Sequence, residues 1–313
     1  MARYGEPKQL LVANDQRNED VVTGRIMTGR LGYYVRIEGA GPPVLLLHGF
    51  TGSHQSWDEA AKWLRQRYTV VRPDLPGHGA SVVGKSQSWS MDTVAFSLFR
   101  MMRELGFPTF SVIGYSMGAR VALTMAAKAS ARLDTLIVES GSPGLENPDE
   151  RTSRAEADNA LADHIEAVGL TAFVHEWSTM PLFATQQRLP EEVRKKQRNI
   201  RFSHSASGLC ASLRHMGTGA QAPVWRELPE MRLPTLLITG QDDPKFQALA
   251  RRMLSLLPSG EHQEVPDAGH DVHLEQPTAY LEIVLTFLDA HTDREEDSHF
   301  STHGTMFGDD GEQ

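Results

Sequence analysis

A single cysteine, Cys210, occurs among the 313 residues. One thiol cannot close an intramolecular disulfide or furnish a Cys-rich zinc site. It sits in an apolar helical stretch, where packing is its expected role. No apolar run approaches the ~18 residues that cross a bilayer, and the first twenty residues lack an apolar core with a small-residue cleavage site. A cytoplasmic protein with no membrane insertion is expected. There is no basic excess either. Against 31 Lys and Arg stand 40 Asp and Glu, for a net charge of −9, and nothing resembles a nucleic-acid patch. Much of the acidity follows Leu288, in Asp293, Glu295, Glu296, Asp297, Asp309 and Asp310. Residues 292–313 read as a disordered acidic tail and the polar residues 1–20 as a flexible N-terminal segment. No internal repeat is visible. The remainder is long and apolar enough, at 40% hydrophobic residues, to bury a full core.

What is present is a serine between two glycines, Gly114-Tyr115-Ser116-Met117-Gly118. An apolar run, 110–113, precedes it and a helix-forming stretch, 119–128, follows. At such a strand-to-helix junction the turn is too tight for flanking side chains, and the hydroxyl projects above the sheet as a nucleophile. A hydroxyl is protonated at neutral pH and needs an imidazole to take its proton, and the imidazole needs a carboxylate to fix its tautomer. Asp243 follows the apolar strand 235–239, and His270 lies in the loop after the last strand, 261–265. The chain order Ser116, Asp243, His270 is that of an α/β-hydrolase. Asp242 and Glu139, the latter at the end of strand 135–138, compete for the acid's role. Asp74, in Arg72-Pro73-Asp74-Leu75-Pro76-Gly77-His78-Gly79, reads as a structural turn residue.

A second apolar strand, 44–47, runs into His48-Gly49-Phe50. The backbone N–H of Phe50 and that of Met117 can form a two-donor oxyanion hole. His48 reads as a loop histidine bonded to backbone. The pair His270-x-x-His273 follows a strand and has no third ligand in sequence, so no metal site is expected. No cofactor is expected.

Short apolar strands alternate with helices from residue 44 on, after a half-exposed antiparallel hairpin formed by 22–27 and 32–37. Strands are expected at 44–47, 69–72, 110–113, 135–138, 235–239 and 261–265, with helices between them. The interval 141–233 breaks that rhythm. It offers charged helices such as 155–166 and 190–198 and no strand, and it reads as a helical cap (141–233) inserted in a core of 21–140 and 234–291. The fold class is therefore α/β: a mostly parallel sheet flanked by helices, with an inserted helical cap and a ligand site between cap and core.

The cap carries Pro143-Gly144-Leu145, Glu150-Arg151-x-x-Arg154, Phe173-Val174-x-x-Trp177, Pro181-Leu182-Phe183 and Arg214-His215-Met216-Gly217-Thr218-Gly219-Ala220-Gln221. With the elbow and Gly240-Gln241-Asp242-Asp243-Pro244-Lys245-Phe246, these resemble the 2-succinyl-6-hydroxy-2,4-cyclohexadiene-1-carboxylate synthases of menaquinone biosynthesis, over residues 43–288. Ala119 departs from the glycine many members carry. The resemblance implies a lyase that eliminates pyruvate from a polyanionic small molecule, and substrate contacts at Tyr115, Arg120, Arg154, Trp177 and Arg201. A guanidinium fork matches a carboxylate bidentately, which suits such a substrate. The triad alone is equally compatible with a serine hydrolase of small esters or carbon–carbon bonds, or with a ligand sensor that kept the fold.

Overall fold

The computed structural model describes residues 21–29, 31–83 and 89–292. The expected flexible segment 1–20 and, Thr292 apart, the expected acidic tail lie outside them. The strands are β1 (Val21–Thr28), β2 (Leu31–Glu38), β3 (Pro43–Leu47), β4 (Thr69–Pro73), β5 (Val82–Val83), β6 (Phe110–Tyr115), β7 (Leu133–Glu139), β8 (Thr235–Gly240) and β9 (Gly260–Val265). The helices are α1 (Asp58–Leu64), α2 (Met91–Glu104), α3 (Met117–Ala129), α4 (Pro148–Ser178), α5 (Glu191–Phe202), α6 (Ala206–Met216), α7 (Pro244–Leu254), α8 (Val272–Glu275) and α9 (Pro277–His291).

All the strands join one sheet in the order β1-β2-β4-β3-β6-β7-β8-β9, with β5 pairing beside β2. From β4 through β9 the neighbours run parallel, while β2 is antiparallel to β1, β4 and β5. Burial on both faces explains the unbroken apolar runs of the central strands. Alternate residues of β3 divide between two cores: Leu45 and Leu47 pack with α2 and α3, whereas Val44 and Leu46 pack with α1 and α9. This is the two-residue period of a strand with helices on each side. The hairpin differs from expectation in one respect. Only β1 is half-exposed; β2, with partners on both edges, is almost wholly buried. The two-residue β5 is too short to leave a periodic signal.

Between β7 and β8 the described residues form helices and no strand. The expected helix 155–166 is one part of α4, 31 residues long and broken at Gly169, whose φ of 79° interrupts the helical path. A small core of Ala162, Ile165, Phe173, Val174, Leu209, Cys210 and Leu213 holds α4 to α6. Cys210 is buried there, its thiol bonded to the Ala162 carbonyl at 3.2 Å. Among the described residues, no helix is long and apolar enough to cross a membrane.

Three buried histidines tie the loops at the strand ends together. His48 accepts the Leu75 N–H at Nε2 (2.9 Å) and donates from Nδ1 to the Gly49 carbonyl (2.8 Å). His78 accepts the Thr51 N–H (3.2 Å). His204, from the helical insertion, accepts the Gly79 N–H (3.0 Å) and donates to the Thr51 carbonyl (2.9 Å). A ring nitrogen that accepts cannot carry a proton, so each bond demands neutral imidazole. Burial works the same way, lowering His48 to about 4, His78 well below 6.5 and His204 below its ordinary value. Asp74 is the structural turn residue expected, accepting from the N–H groups of His54 (2.7 Å) and Ala80 (2.8 Å).

Acid sensitivity follows. A histidine held neutral in the fold binds a proton only on unfolding, so its contribution is complete above about pH 6.5 and declines as pH falls toward the folded value. Urea denaturation should show stability dropping between about pH 6.5 and 4, and His48→Asn should flatten that slope. A slope unchanged by His48→Asn would mean that His48 is not the titrating group. Packing at the elbow gives a second outcome. A methyl at Gly118 would sit 2.0 Å from the Leu47 carbonyl oxygen, a backbone atom. Gly118→Ala should cost about 3 kcal/mol or more, read from the same denaturation curves.

Candidate active site

Ser116 occupies the turn from β6 into α3 with φ 51° and ψ −107°, a region that L side chains rarely enter. The Ser116 N–H donates to the Glu139 carbonyl at 2.9 Å, and the flanking glycines let the chain close on itself. A Cβ on Gly114 would lie 2.4 Å from the Gly118 carbonyl oxygen.

His270, in the loop after β9, approaches Ser116 Oγ with Nε2 at 3.0 Å. Its Nδ1 lies 2.8 Å from Asp243 Oδ2. The carboxylate can only accept, so Nδ1 donates and Nε2 is left to accept from the hydroxyl. Asp243 also caps α7, where its Oδ1 accepts the Phe246 N–H at 3.4 Å. Each oxygen thus has its own task. The competing acids are otherwise engaged: Asp242 pairs with Arg188 at the surface (2.8 Å), and the Glu139 carboxylate bonds His273.

His273 lies three residues from His270 and faces the other way. Its ring donates from Nδ1 to Glu139 at 2.8 Å and stacks on Trp57 with centroids 4.1 Å apart. Burial alone would push its pKa down, but the carboxylates of Glu139, Asp271 and Glu275 raise it to about 9. Asp271 is raised by burial to about 6. Glu139, Asp271 and His273 come within metal-ligating reach of one another, a grouping the sequence spacing did not suggest. His273 spends its Nδ1 proton on Glu139, and its Nε2 is buried with no hydrogen-bond partner among the described residues.

Ser116 and His270 open onto a cavity of about 780 Å³. Phe50, Tyr115, Met117, Arg120, Arg154 and Trp177 line it, so six of the seven oxyanion and substrate-contact residues expected beside the serine and histidine share one space, with Arg201 the exception. Among the described residues, the N–H groups of Phe50 and Met117 donate to no other group of the protein. Arg120 donates to the Met216 carbonyl (2.8 Å), and burial lowers its pKa to about 10. Arg154 pairs with Asp158 at 2.8 Å, and Asp158 also accepts the Gly219 N–H at 3.0 Å. The Met-Gly-Thr-Gly run is thus a loop strapped onto α4. A Cβ on Gly219 would meet the Ala155 nitrogen at 2.1 Å.

Arg201 lies elsewhere. It donates to Ser178 Oγ (2.7 Å), stacks over Phe183 and borders a separate space of about 20 Å³ with Tyr115, Asp271 and His273. Tyr115 and Phe183 line both spaces and stand between them. Two cations were missed in sequence, Lys245 and Arg252, both on α7 and both lining the larger cavity. The signal was available: Asp243 starts that helix, so its first turns border the site. Arg252 covers the Trp225 ring at 3.9 Å and pairs with Glu146 at 2.5 Å. Lys245 lies over Phe246, which in turn packs against His270.

The alpha/beta hydrolase fold family matches residues 42–277. A Bacillus subtilis protein assigned as a 2-succinyl-6-hydroxy-2,4-cyclohexadiene-1-carboxylate synthase is 40% identical, over 82% of this chain and 94% of its own length. The Escherichia coli synthase of that name is 31% identical, over 77% of this chain and 91% of its own. The solved structure of MenH from S. aureus superposes with a TM-score of 0.80 at 30% identity, covering 83% of this chain and 99% of the other. Sheet order, elbow and sequence agree, and the chain belongs to the 2-succinyl-6-hydroxy-2,4-cyclohexadiene-1-carboxylate synthase family of the α/β-hydrolase fold.

Proposed function

We propose that this chain is a lyase of menaquinone biosynthesis. It removes pyruvate from 2-succinyl-5-enolpyruvyl-6-hydroxy-3-cyclohexene-1-carboxylate by 2,5-elimination, leaving 2-succinyl-6-hydroxy-2,4-cyclohexadiene-1-carboxylate. The observation that carries the reading is the hydrogen-bonded series Ser116–His270–Asp243, opening onto a cavity flanked by cations.

In this reading His270 accepts the Ser116 proton, and Asp243 holds the imidazole in the right tautomer and stabilises its charged form. The serine oxygen then takes the ring proton beside the succinyl carbonyl. Negative charge builds on that carbonyl oxygen, facing the N–H groups of Phe50 and Met117. As it collapses, the ring double bond shifts, the ring C–O bond to the enolpyruvyl group breaks, and the departing enolate is protonated to pyruvate. No bond forms between serine and substrate, and no water is consumed. Arg120 and Arg154, with Lys245 and Arg252 opposite, would bind the substrate carboxylates, while Tyr115 and Trp177 shape the apolar wall. Arg201 would act from behind Tyr115. Residues 141–233 serve as a cap over the core of 21–140 and 234–291.

Pyruvate release from the enolpyruvyl substrate, followed with lactate dehydrogenase, tests the reading directly; release no faster than from a generic ester control would sink it. Ser116→Ala should lower turnover by at least about 10³-fold with the fold intact by circular dichroism. Asp243→Asn should lose about 10⁴-fold through the wrong imidazole tautomer.

The cations separate a lyase from an esterase. Arg120→Ala and Arg154→Ala should each weaken binding of the polyanionic substrate by about 1.5–3 kcal/mol, the range for charge-assisted bonds. Turnover of a small neutral ester should change far less. Equal losses on both substrates would mean that these arginines hold the insertion in place and bind no carboxylate.

A further inference from the structure

One residue touches both sides of the Ser116–His270 pair without lining the cavity. Glu139 ends β7 with its side chain fully buried. Its backbone carbonyl accepts the Ser116 N–H at 2.9 Å. Its carboxylate accepts from the His273 N–H at 2.9 Å and from His273 Nδ1 at 2.8 Å. His273 belongs to the same turn as His270, and Glu275 grips that turn from the other side by accepting from the N–H groups of Gly269 (2.9 Å) and Asp271 (3.3 Å). Nucleophile and imidazole, 154 residues apart in sequence, are thereby tied to one rigid strand end.

We propose that Glu139, with protonated His273 as its counter-ion, is a positioning residue that sets the Ser116–His270 distance. The proposal rests on the reading of Ser116 and His270 as the reacting pair. A carboxylate buried without a cation would be costly, and removing one partner of a buried ion pair strands the other. His273 is therefore as necessary to the device as Glu139. The groups facing His273 are the carboxylates of Glu139, Asp271 and Glu275, the rings of Trp57, Tyr115 and Tyr280, and, across the small space beside Asp271, Arg201. The Nδ1–H and backbone N–H bonds to Glu139 persist in the neutral ring, and the ionic part of the tie, strongest at neutral pH, weakens as pH rises through about 9.

The test reads the pair without the lyase reaction. A fluorophosphonate reacts with an activated serine: the Ser116 Oγ–P bond forms, the P–F bond breaks, fluoride leaves and the hydroxyl proton passes to His270. In Glu139→Gln and in His273→Gln the labelling rate at pH 7.5 should fall about 10- to 100-fold, the cost of a small misplacement. The double variant should be no slower than the slower single one. The wild-type rate should decline above about pH 9, and His273→Gln should lack that limb. Circular dichroism and thermal melts report whether each variant is folded. Wild-type rates in folded Glu139→Gln overturn the proposal, as do additive losses in the double variant or an alkaline limb that survives His273→Gln. If the reagent labels Ser116→Ala as readily as wild type, the reacting pair itself is misassigned and the proposal falls with it.

Discussion

The approach of α3 to β3 is the constraint on which the rest of the site depends. Gly118 lies so close to the Leu47 carbonyl that even a methyl group is excluded. That contact forces the turn before it, and Ser116 adopts a positive φ as a consequence. Backbone strain of this kind costs about 1–3 kcal/mol and persists only where surrounding structure over-determines it. Here the over-determination is visible. The Ser116 N–H is held by Glu139, Arg120 closes the first helical turn back onto the Ser116 carbonyl, and parallel strands fix β6 between β3 and β7. The same approach brings residues 48–50 beside Met117, so one packing contact sets the serine and both candidate oxyanion donors.

Histidine shows how environment assigns role to a residue type. His48, His78 and His204 each accept a backbone N–H, and their bonds survive only if the rings stay neutral. His273 is as deeply buried but is surrounded by carboxylates, and it is held charged. His270 has one carboxylate on Nδ1 and one hydroxyl on Nε2, the arrangement on which the proposed proton transfer rests. Burial is common to all five. The groups around each ring decide whether it is held neutral or pushed toward the charged form.

The fold and the residues of the hydrogen-bonded series Ser116–His270–Asp243 were legible in sequence because their signals are local. Apolar runs of four to six residues mark central strands wherever both faces are covered, and a Gly-x-Ser-x-Gly turn must lie within five residues of itself. Asp243 was separable from Glu139 only by strand position, and in the structure it is Asp243 that lies 2.8 Å from His270 Nδ1. What stayed hidden depends on distant partners. Arg201 looked equivalent to Arg120 and Arg154, yet its guanidinium is drawn to Ser178 and Phe183, behind Tyr115. Lys245 lies within the motif that carries Asp243 and Arg252 two turns further along the same helix, and only the fold turns both toward the cavity. The length of α4 was not apparent from the expected helix 155–166, because Gly169 is a joint between two helical stretches.

The cavity cations are not idle in the absence of substrate, and this bears on selectivity. Arg154 is bonded to Asp158, Arg252 to Glu146, and Arg120 to the Met216 carbonyl. A carboxylate entering the cavity must compete with groups already in place, so a single weak anion gains little. A ligand carrying several carboxylates on one rigid ring engages several cations at once, and each further contact is made at high effective concentration. Under the proposed function, the lining would favour polyanions over simple acids without any one residue having to recognise the whole molecule. Arg120 adds a steeper dependence: burial already disfavours its charge, and a carboxylate beside it would offset that cost more than it would for a solvated lysine. Selectivity of this sort would reside in the set of cations and in their spacing along α3, α4 and α7.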